Sequence, residues 1–345
     1  MPNIQAEPNG APLLSVRHLS VDFISPDGTR MHALQDVSFD VHTGETLGLV
    51  GESGCGKTTA MLSLMRLLPT AGRITSGQVL FDGLDLLAVS EAQMRKYRWK
   101  AMAMIFQSAM NALNPVRTVG DQIGEAILLH GLMDRKAADQ RVEKLLDLVG
   151  IAKARKDQYP HQYSGGMRQR AMIAMALACK PRLLFADEPT TALDVMIQAQ
   201  ILQLIKTIQQ ELGLAVVLVT HDLGVVAEIC DSVVIMYGGK VAEYGSSDAI
   251  YNAPQHPYTQ RLLAAFPDLN KPGDVLASIP GYPPRLNALP PGCRFEPRCH
   301  ARLNVCATLS PSLIDVTTDY HAARSAFVTH HLAACHLCDG PEAKA

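Results

Sequence analysis

The eight residues Gly51 to Thr58, GESGCGKT, constrain this 345-residue chain more than any other stretch, because they match G-x-x-x-x-G-K-[ST] in a telling context. The run before them, LQDVSFDVHTGETLGLVG, alternates apolar and polar residues like a strand, and the run after them, KTTAMLSLMRLL, is apolar over much of a helical surface. Glycines between a strand and a helix let backbone N–H groups turn inward, and the helix N-terminus adds partial positive charge. Gly51, Ser53, Gly54, Cys55 and Gly56 are therefore expected to cradle phosphates. Lys57 is placed to reach the terminal phosphates, and Thr58, followed by Thr59, to set a hydroxyl on Mg²⁺. A plain glycine turn with a solvated lysine is the alternative, and the strand-loop-helix setting disfavours it.

The rest of the chain agrees with an α/β fold. LLSVRHLSVDF and GQVLFDGLDL read as strands around the loop, and RLLFAD and LAVVLVTHD as later strands, each followed by a helix candidate. SVVIMYGGKVAEYG reads as a hairpin with a glycine turn, and the two strand-rich halves are expected to share one sheet. Between about 91 and 178 the periodicity turns helical, in QRVEKLLDLVGI and GMRQRAMIAMALACK, which marks a helical insertion. After about 255 the helix candidate HPYTQRLLAAF gives way to KPGDVLASIPGYPPRLNALPPG, too rich in Pro and Gly for long regular elements. The expected layout is a domain over 13–255, with its helical part at 91–178, and a loop-rich extension over 256–340.

Asp187 and Glu188 follow RLLFA at the carboxyl end of a buried-strand run, where ligands bind in open α/β sheets. Two acids there are also common in solvated turns. Beside a phosphate loop, Asp187 suits the Mg²⁺ shell and Glu188 the polarisation of water.

YSGGMRQR at 163–170 precedes that pair by just over twenty residues and is followed by TALD and VTHD. Together with the phosphate loop these ordered motifs resemble the ABC ATPases, over residues 13 to about 250. The resemblance implies an ABC-type nucleotide-binding domain that binds and hydrolyses ATP. It makes Gln107, in IFQSAMNALNP, a Mg²⁺- and water-contacting residue that also links the site to a membrane-spanning partner. It makes Ser164, Gly165 and Gly166 the signature that contacts the γ-phosphate held by a second subunit, Asp194 an interface residue, and His221 the switch histidine. Phe23 falls where a ring commonly stacks on adenine, although an aromatic in an edge strand is often simple packing. Tyr163 stands where many relatives have leucine.

Five of the eight cysteines fall between 293 and 338, three of them in PPGCRFEPRCHARLNVC. The start of the chain lacks the basic and apolar regions of a secretory signal, so a reducing cytosol is expected, where clustered thiols favour metal over disulfides. The spacing C-x₅-C-x₆-C is neither a ferredoxin run nor a zinc ribbon. HPYTQRLLAAFP, PGCRFEPRC and AACHL resemble the extension of ATP-binding subunits from oligopeptide, dipeptide and nickel permeases. That resemblance implies a [4Fe–4S] cluster on Cys293, Cys299, Cys306 and Cys335. Zinc stays open as an alternative, as does Cys338 in place of Cys335, with His300 and His336 nearby. Cys55, beside a helix N-terminus, is expected to be a reactive thiol.

Net charge is −2, from 31 basic and 33 acidic residues well mixed, so no electrostatic footprint for nucleic acid is expected. The expectation is an importer ATPase, peripheral on the cytosolic face of the membrane. Its partners would be two permease subunits, a second and paralogous ATP-binding subunit, and an external solute-binding protein acting through the permease. A soluble ABC ATPase working on ribosomes or DNA is the rival; such chains usually carry two ATPase units or long coiled coils, and neither is evident. A GTPase or small-molecule kinase fits only the first motif, since NKPGD at 270 has glycine where the guanine-reading acid belongs.

Overall fold

The computed structural model describes residues 10–107, 112–191, 193–265, 279–317 and 327–339. The NKPGD stretch lies outside them. The chain divides into two compact units, one built from residues 88–219 and the other from 7–87 together with 220–345.

The discontinuous unit begins with β1 (Leu14–Ile24) and β2 (Arg30–Val41), then β3 (Thr46–Val50), α1 (Lys57–Leu64), β4 (Gly72–Phe81) and β5 (Leu84–Asp85). Four of these form an antiparallel sheet in the order β2-β1-β4-β5, with Leu14 opposite Val41 and Phe81. The turn from β4 to β5 passes through Asp82 and Gly83, both at positive φ, the Asp-Gly chemistry that closes tight hairpins.

The continuous unit follows with α2 (Glu91–Tyr97), β6 (Met102–Ile105), α3 (Val119–Leu129), α4 (Arg135–Leu148), α5 (Gly165–Ala176), β7 (Leu183–Asp187), α6 (Val195–Leu212) and β8 (Ala215–Thr220). Here β6, β7 and β8 run parallel, with Met102 opposite Leu183 and Leu183 opposite Ala215. Every residue of β7 and β8 is buried, which is why both read as near-continuous apolar runs. Side-chain caps fix where the helices start: Thr118, Asp134, Ser164 and Asp194 each accept a backbone N–H from three residues on. Gly213, left-handed at φ 63°, ends α6.

The chain then returns to the discontinuous unit through α7 (Leu223–Ile229), β9 (Ser232–Tyr237), β10 (Lys240–Ser246), α8 (Ser247–Asn252), α9 (Pro257–Ala264), β11 (Ile314–Asp315) and β12 (Leu332–Ala333). β9 pairs parallel with β3 and antiparallel with β10, which carries β12 and then β11. The strand-rich halves of the sequence thus meet at β3 and β9. The expected shared sheet forms only in part, however: β3 joins the later strands, while β1, β2, β4 and β5 are a separate antiparallel sheet. Their alternation signals half-burial and says nothing of which neighbours they choose. Helix α1 is also shorter than its apolar run, ending at Leu64, with Arg66 already at φ 51°.

Among the described residues no helix is long and apolar enough to cross a membrane. The extension is held to this unit by short elements and side chains. Its hub is Glu243, wholly buried in β10, which accepts N–H bonds from Gln255 and His256 at 2.7 and 3.0 Å and pairs with His331 Nε2 at 2.7 Å.

Candidate active site

The phosphate loop runs from β3 to α1 with Gly51, Gly54 and Gly56 all at positive φ. Gly51 has no alternative: a Cβ there would lie 2.2 Å from the Met236 carbonyl oxygen and 2.8 Å from Cys55 Sγ. Lys57 is buried, and its Nζ donates to the carbonyls of Gly51 and Glu52 at 2.6 and 3.1 Å. That places the ammonium across the mouth of the loop. Ser53, Gly54 and Thr58 are exposed and Thr59 partly so.

Cys55 corrects the sequence reading. Its thiol is 1% exposed and packed under Gly51, and burial pushes its pKa up despite Lys57 Nζ at 3.8 Å. The helix N-terminus cannot activate a thiol kept out of water. Phe23 is half-buried in β1 beside Gly72, where a Cβ would meet its ring at 3.3 Å. His221 is exposed in the turn after β8, just before Asp222 caps α7.

In the continuous unit β7 delivers Asp187, 3% exposed, at its carboxyl end. Glu188 follows at φ 42°, an uncommon conformation for a side-chain-bearing residue, and its N–H bonds the Val219 carbonyl at 2.9 Å. Its Oε2 accepts from Gln107 Nε2 at 2.6 Å and from Thr191 Oγ1 at 3.0 Å. The fold thus joins two residues singled out separately in the sequence.

The signature segment opens α5, and Ser164 accepts the Met167 N–H as its cap. A Cβ on Gly166 would come within 2.9 Å of Ile197 Cγ2, and one on Gly165 within 3.6 Å of Leu193, so this end of α5 sits against the start of α6, where Asp194 is the cap. Val195 and Met196 beside it are 78% and 73% exposed. Tyr163 is buried and donates its hydroxyl to the Arg155 carbonyl at 3.0 Å, so the departure from leucine serves packing.

In the extension, Cys306 and Cys335 are buried and Cys293 and Cys299 partly so. Burial pushes the Cys293 thiol up to about 11, and the neighbouring thiols of Cys306, Cys335 and Cys299 act in the same direction. Burial likewise raises Cys299, with Cys335 and Cys306 close enough to contribute. Cys338 instead hydrogen-bonds Cys335. The expected ligand set is gathered in one neighbourhood, yet among the described residues no three His, Cys, Asp or Glu side chains close to the distances that hold a single metal ion.

Sequence reasoning passed over Arg298 and Tyr258. Arg298, 5% exposed in its side chain, forms a two-pronged pair with Glu52 of the phosphate loop, at 2.6 and 3.0 Å. Tyr258 accepts the Glu52 N–H at 3.0 Å. The signal for Tyr258 lies in HPYTQRLLAAF, whose pattern marks a helix but does not name the partner of the tyrosine hydroxyl.

Comparison with known proteins identifies the family. Residues 34–191 match the ABC transporter family, and residues 242–306 match the family described as oligopeptide/dipeptide transporter, C-terminal region. The chain belongs to the ATP-binding subunits of ABC transporters and is an ATPase. It is 52% identical over 302 residues to the dipeptide transport ATP-binding protein DppD of Bacillus subtilis, covering 87% of this chain and 90% of that one. It is 46% identical over 301 residues to the oligopeptide transport ATP-binding protein OppD of Escherichia coli, with 87% and 89% covered. Among solved structures it resembles the dimeric ATP-binding cassette MJ0796 bound to ADP and Pi, with a TM-score of 0.61 and 26% identity, over 68% of this chain and 98% of that one. It also resembles cbiO1 of Clostridium perfringens, part of an ABC transporter complex, with a TM-score of 0.61 and 28% identity over 71% and 92% of the two chains.

Proposed function

We propose that this chain hydrolyses ATP to drive import of di- or oligopeptides through two permease subunits, paired with a second, paralogous ATP-binding subunit on the cytosolic face of the membrane. The observation that carries the peptide class is the joint match to the ABC transporter family and to the oligopeptide/dipeptide C-terminal region in one chain. The names of the B. subtilis and E. coli relatives agree with it.

Phosphoryl transfer asks mostly for positioning and charge neutralisation. The loop amides and Lys57 serve the phosphates, and bound Mg²⁺ would supply further neutralisation, with Thr58, Gln107 and Asp187 as its oxygen donors. Glu188 is the group that polarises water, its carboxylate oriented by Gln107 and Thr191. His221 is assigned to the same water, and Phe23 to the adenine ring. Ser164, Gly165, Gly166 and Asp194 share an end of the continuous unit with exposed Val195 and Met196, which suits a surface that meets the second ATPase.

A groove of about 550 Å³ in the continuous unit, lined by Trp99, Phe106, Gln107, Arg117, Glu125 and Met175, suits a cytoplasmic segment of the permease. Phe106 is 44% exposed there, and Gln107 lines the groove while bonding Glu188. A segment seated in the groove would be felt at Glu188 through that bond.

The [4Fe–4S] reading is supported by the convergence of Cys293, Cys299, Cys306 and Cys335. Cys338, tied to Cys335, is the weaker candidate for fourth ligand.

The test is uptake. Cells lacking this chain should fail to accumulate labelled di- and oligopeptides, and wild type, unlike Glu188→Gln, should restore uptake. Undiminished peptide uptake in the deletion strain would refute the assignment.

A further inference from the structure

The segment between Cys293 and Cys299 carries Arg294, Phe295 and Arg298, and all three point into the nucleotide-binding unit. Arg298 spends its guanidinium on Glu52 Oε1 and Oε2, with Nη1 also 3.2 Å from the Tyr237 hydroxyl and Nε 2.8 Å from the Pro280 carbonyl. Arg294 donates to the Gly238 carbonyl and to Gln35 Oε1. Gly239, next in that turn, donates its N–H to the Cys55 carbonyl at 3.0 Å. Phe295 is buried with its ring 5.1 Å from Tyr237 and 5.3 Å from Tyr258.

Glu52 is consequently gripped at every polar group. Tyr258 takes its N–H, Arg298 its carboxylate, and its carbonyl accepts from Lys57 Nζ at 3.1 Å and the Cys55 N–H at 3.2 Å. Glu52 is the first variable residue of GESGCGKT, so whatever fixes it fixes the amides that follow and the carbonyl on which Lys57 rests. A planar guanidinium holding both carboxylate oxygens in a largely buried setting is a geometric lock as well as a charge pair. A pair that only stitched the extension to the unit could sit anywhere on its surface. This one closes on the phosphate loop, from the residue adjacent to Cys299.

We propose that Arg298 and Tyr258 are positioning residues for ATP binding, so that slackening the segment that carries Arg298 lowers the affinity of the phosphate loop. The proposal rests on the reading of Gly51–Thr58 as the nucleotide site. No bond to nucleotide from the extension is required; order in the 3₁₀ turn Glu296–Arg298 is what is transmitted. Preorganising a loop lowers the cost of ordering it at the moment of binding, so the effect belongs in ATP affinity.

The experiment is equilibrium binding of a fluorescent ATP analogue to the full-length chain purified without oxygen, read beside KM and kcat. Arg298→Gln and Glu52→Gln should each weaken binding about tenfold, and the double variant no further, since the pair acts as a unit. Arg298→Lys, which keeps the charge but loses the fork, should recover only part of the affinity. Tyr258→Phe should weaken binding a few-fold in addition to Glu52→Gln. In each case KM for ATP should rise by a larger factor than kcat falls. Lys57→Ala is the control: loss of binding there, with wild-type affinity in Arg298→Gln and Glu52→Gln, would reduce the pair to a stitch and overturn the proposal. Wild-type binding in Lys57→Ala would overturn the nucleotide-site reading itself. Because Glu52 is partly exposed, Glu52→Gln answers the question even if Arg298→Gln fails to fold.

Discussion

Glu188 is held in a left-handed backbone conformation by the Val219 carbonyl, and its carboxylate by Gln107 and Thr191. Glu188→Gln keeps an oxygen for both donors, so the loop should stay in place and ATP binding should persist, while phosphate release falls by roughly 10² to 10⁴ because an amide cannot take a proton from water. Steady-state phosphate release beside nucleotide binding checks both halves, and turnover within a few-fold of wild type would remove Glu188 from this role. Cys55 gives a second expectation of opposite character. A thiol 1% exposed with a raised pKa should resist alkylation by iodoacetamide equally with and without Mg-ATP, as peptide mass mapping would register. Rapid, nucleotide-protected labelling would mean that the loop opens. The phosphate loop was legible from sequence because its glycines answer a local backbone requirement. The burial of Cys55 was not, since its neighbours come from distant parts of the chain, as in the bond from the Gly239 N–H to the Cys55 carbonyl.

At the scale of elements, β7 and β8 announced themselves, because strands buried on both faces are near-continuously apolar, whereas the single alternating run before the phosphate loop resolves into β2 and β3. The partition of the remaining strands into a separate sheet was not legible, since alternation records one wet face and leaves the pairing partner open. The start of α9 was legible as HPY but its purpose was not. His256 caps that helix through Nδ1, which accepts the Tyr258 N–H at 3.0 Å, and only a neutral ring can do so. Burial drives its pKa down to about 4, against the pull of the Glu243 carboxylate; Tyr258 and Phe295 are its aromatic neighbours. Unfolded, it titrates near 6.5. Its contribution is therefore complete above about pH 6.5 and is lost as pH falls toward 4, with a slope of up to about 1.4 kcal/mol per pH unit. Urea unfolding at pH 7 and pH 5 should show the loss, and His256→Asn should flatten it. An equal slope in the variant would assign the effect to other groups.

For the whole molecule, an ATPase and a thiol-rich extension are joined in one chain, and the cluster reading can be examined apart from catalysis. Protein isolated without oxygen should be brown, with broad visible absorption and about four irons per chain. Serine at Cys293, Cys299, Cys306 or Cys335 should bleach it and loosen the extension, because the free energy of binding a cluster there would also be folding free energy. Serine at Cys338 should leave the colour. Colourless protein with stoichiometric zinc would remove the cluster and leave the ATPase standing. The family was readable from five ordered motifs, whereas the closure of Arg298 onto Glu52 was not, because a charge does not name its partner across 246 positions.

That separation also has a meaning in time. During synthesis at about 5 to 20 residues per second, Glu52 leaves the ribosome roughly 12 to 50 seconds before Arg298 does. Throughout that interval the nascent chain already displays a complete GESGCGKT loop in a cell full of ATP, but without the guanidinium that locks it. A subunit still being made, or one cut short before residue 298, would thus carry a loop of complete sequence that is not yet locked, and the arrival of Arg298 would mark when that loop becomes a good binder of nucleotide.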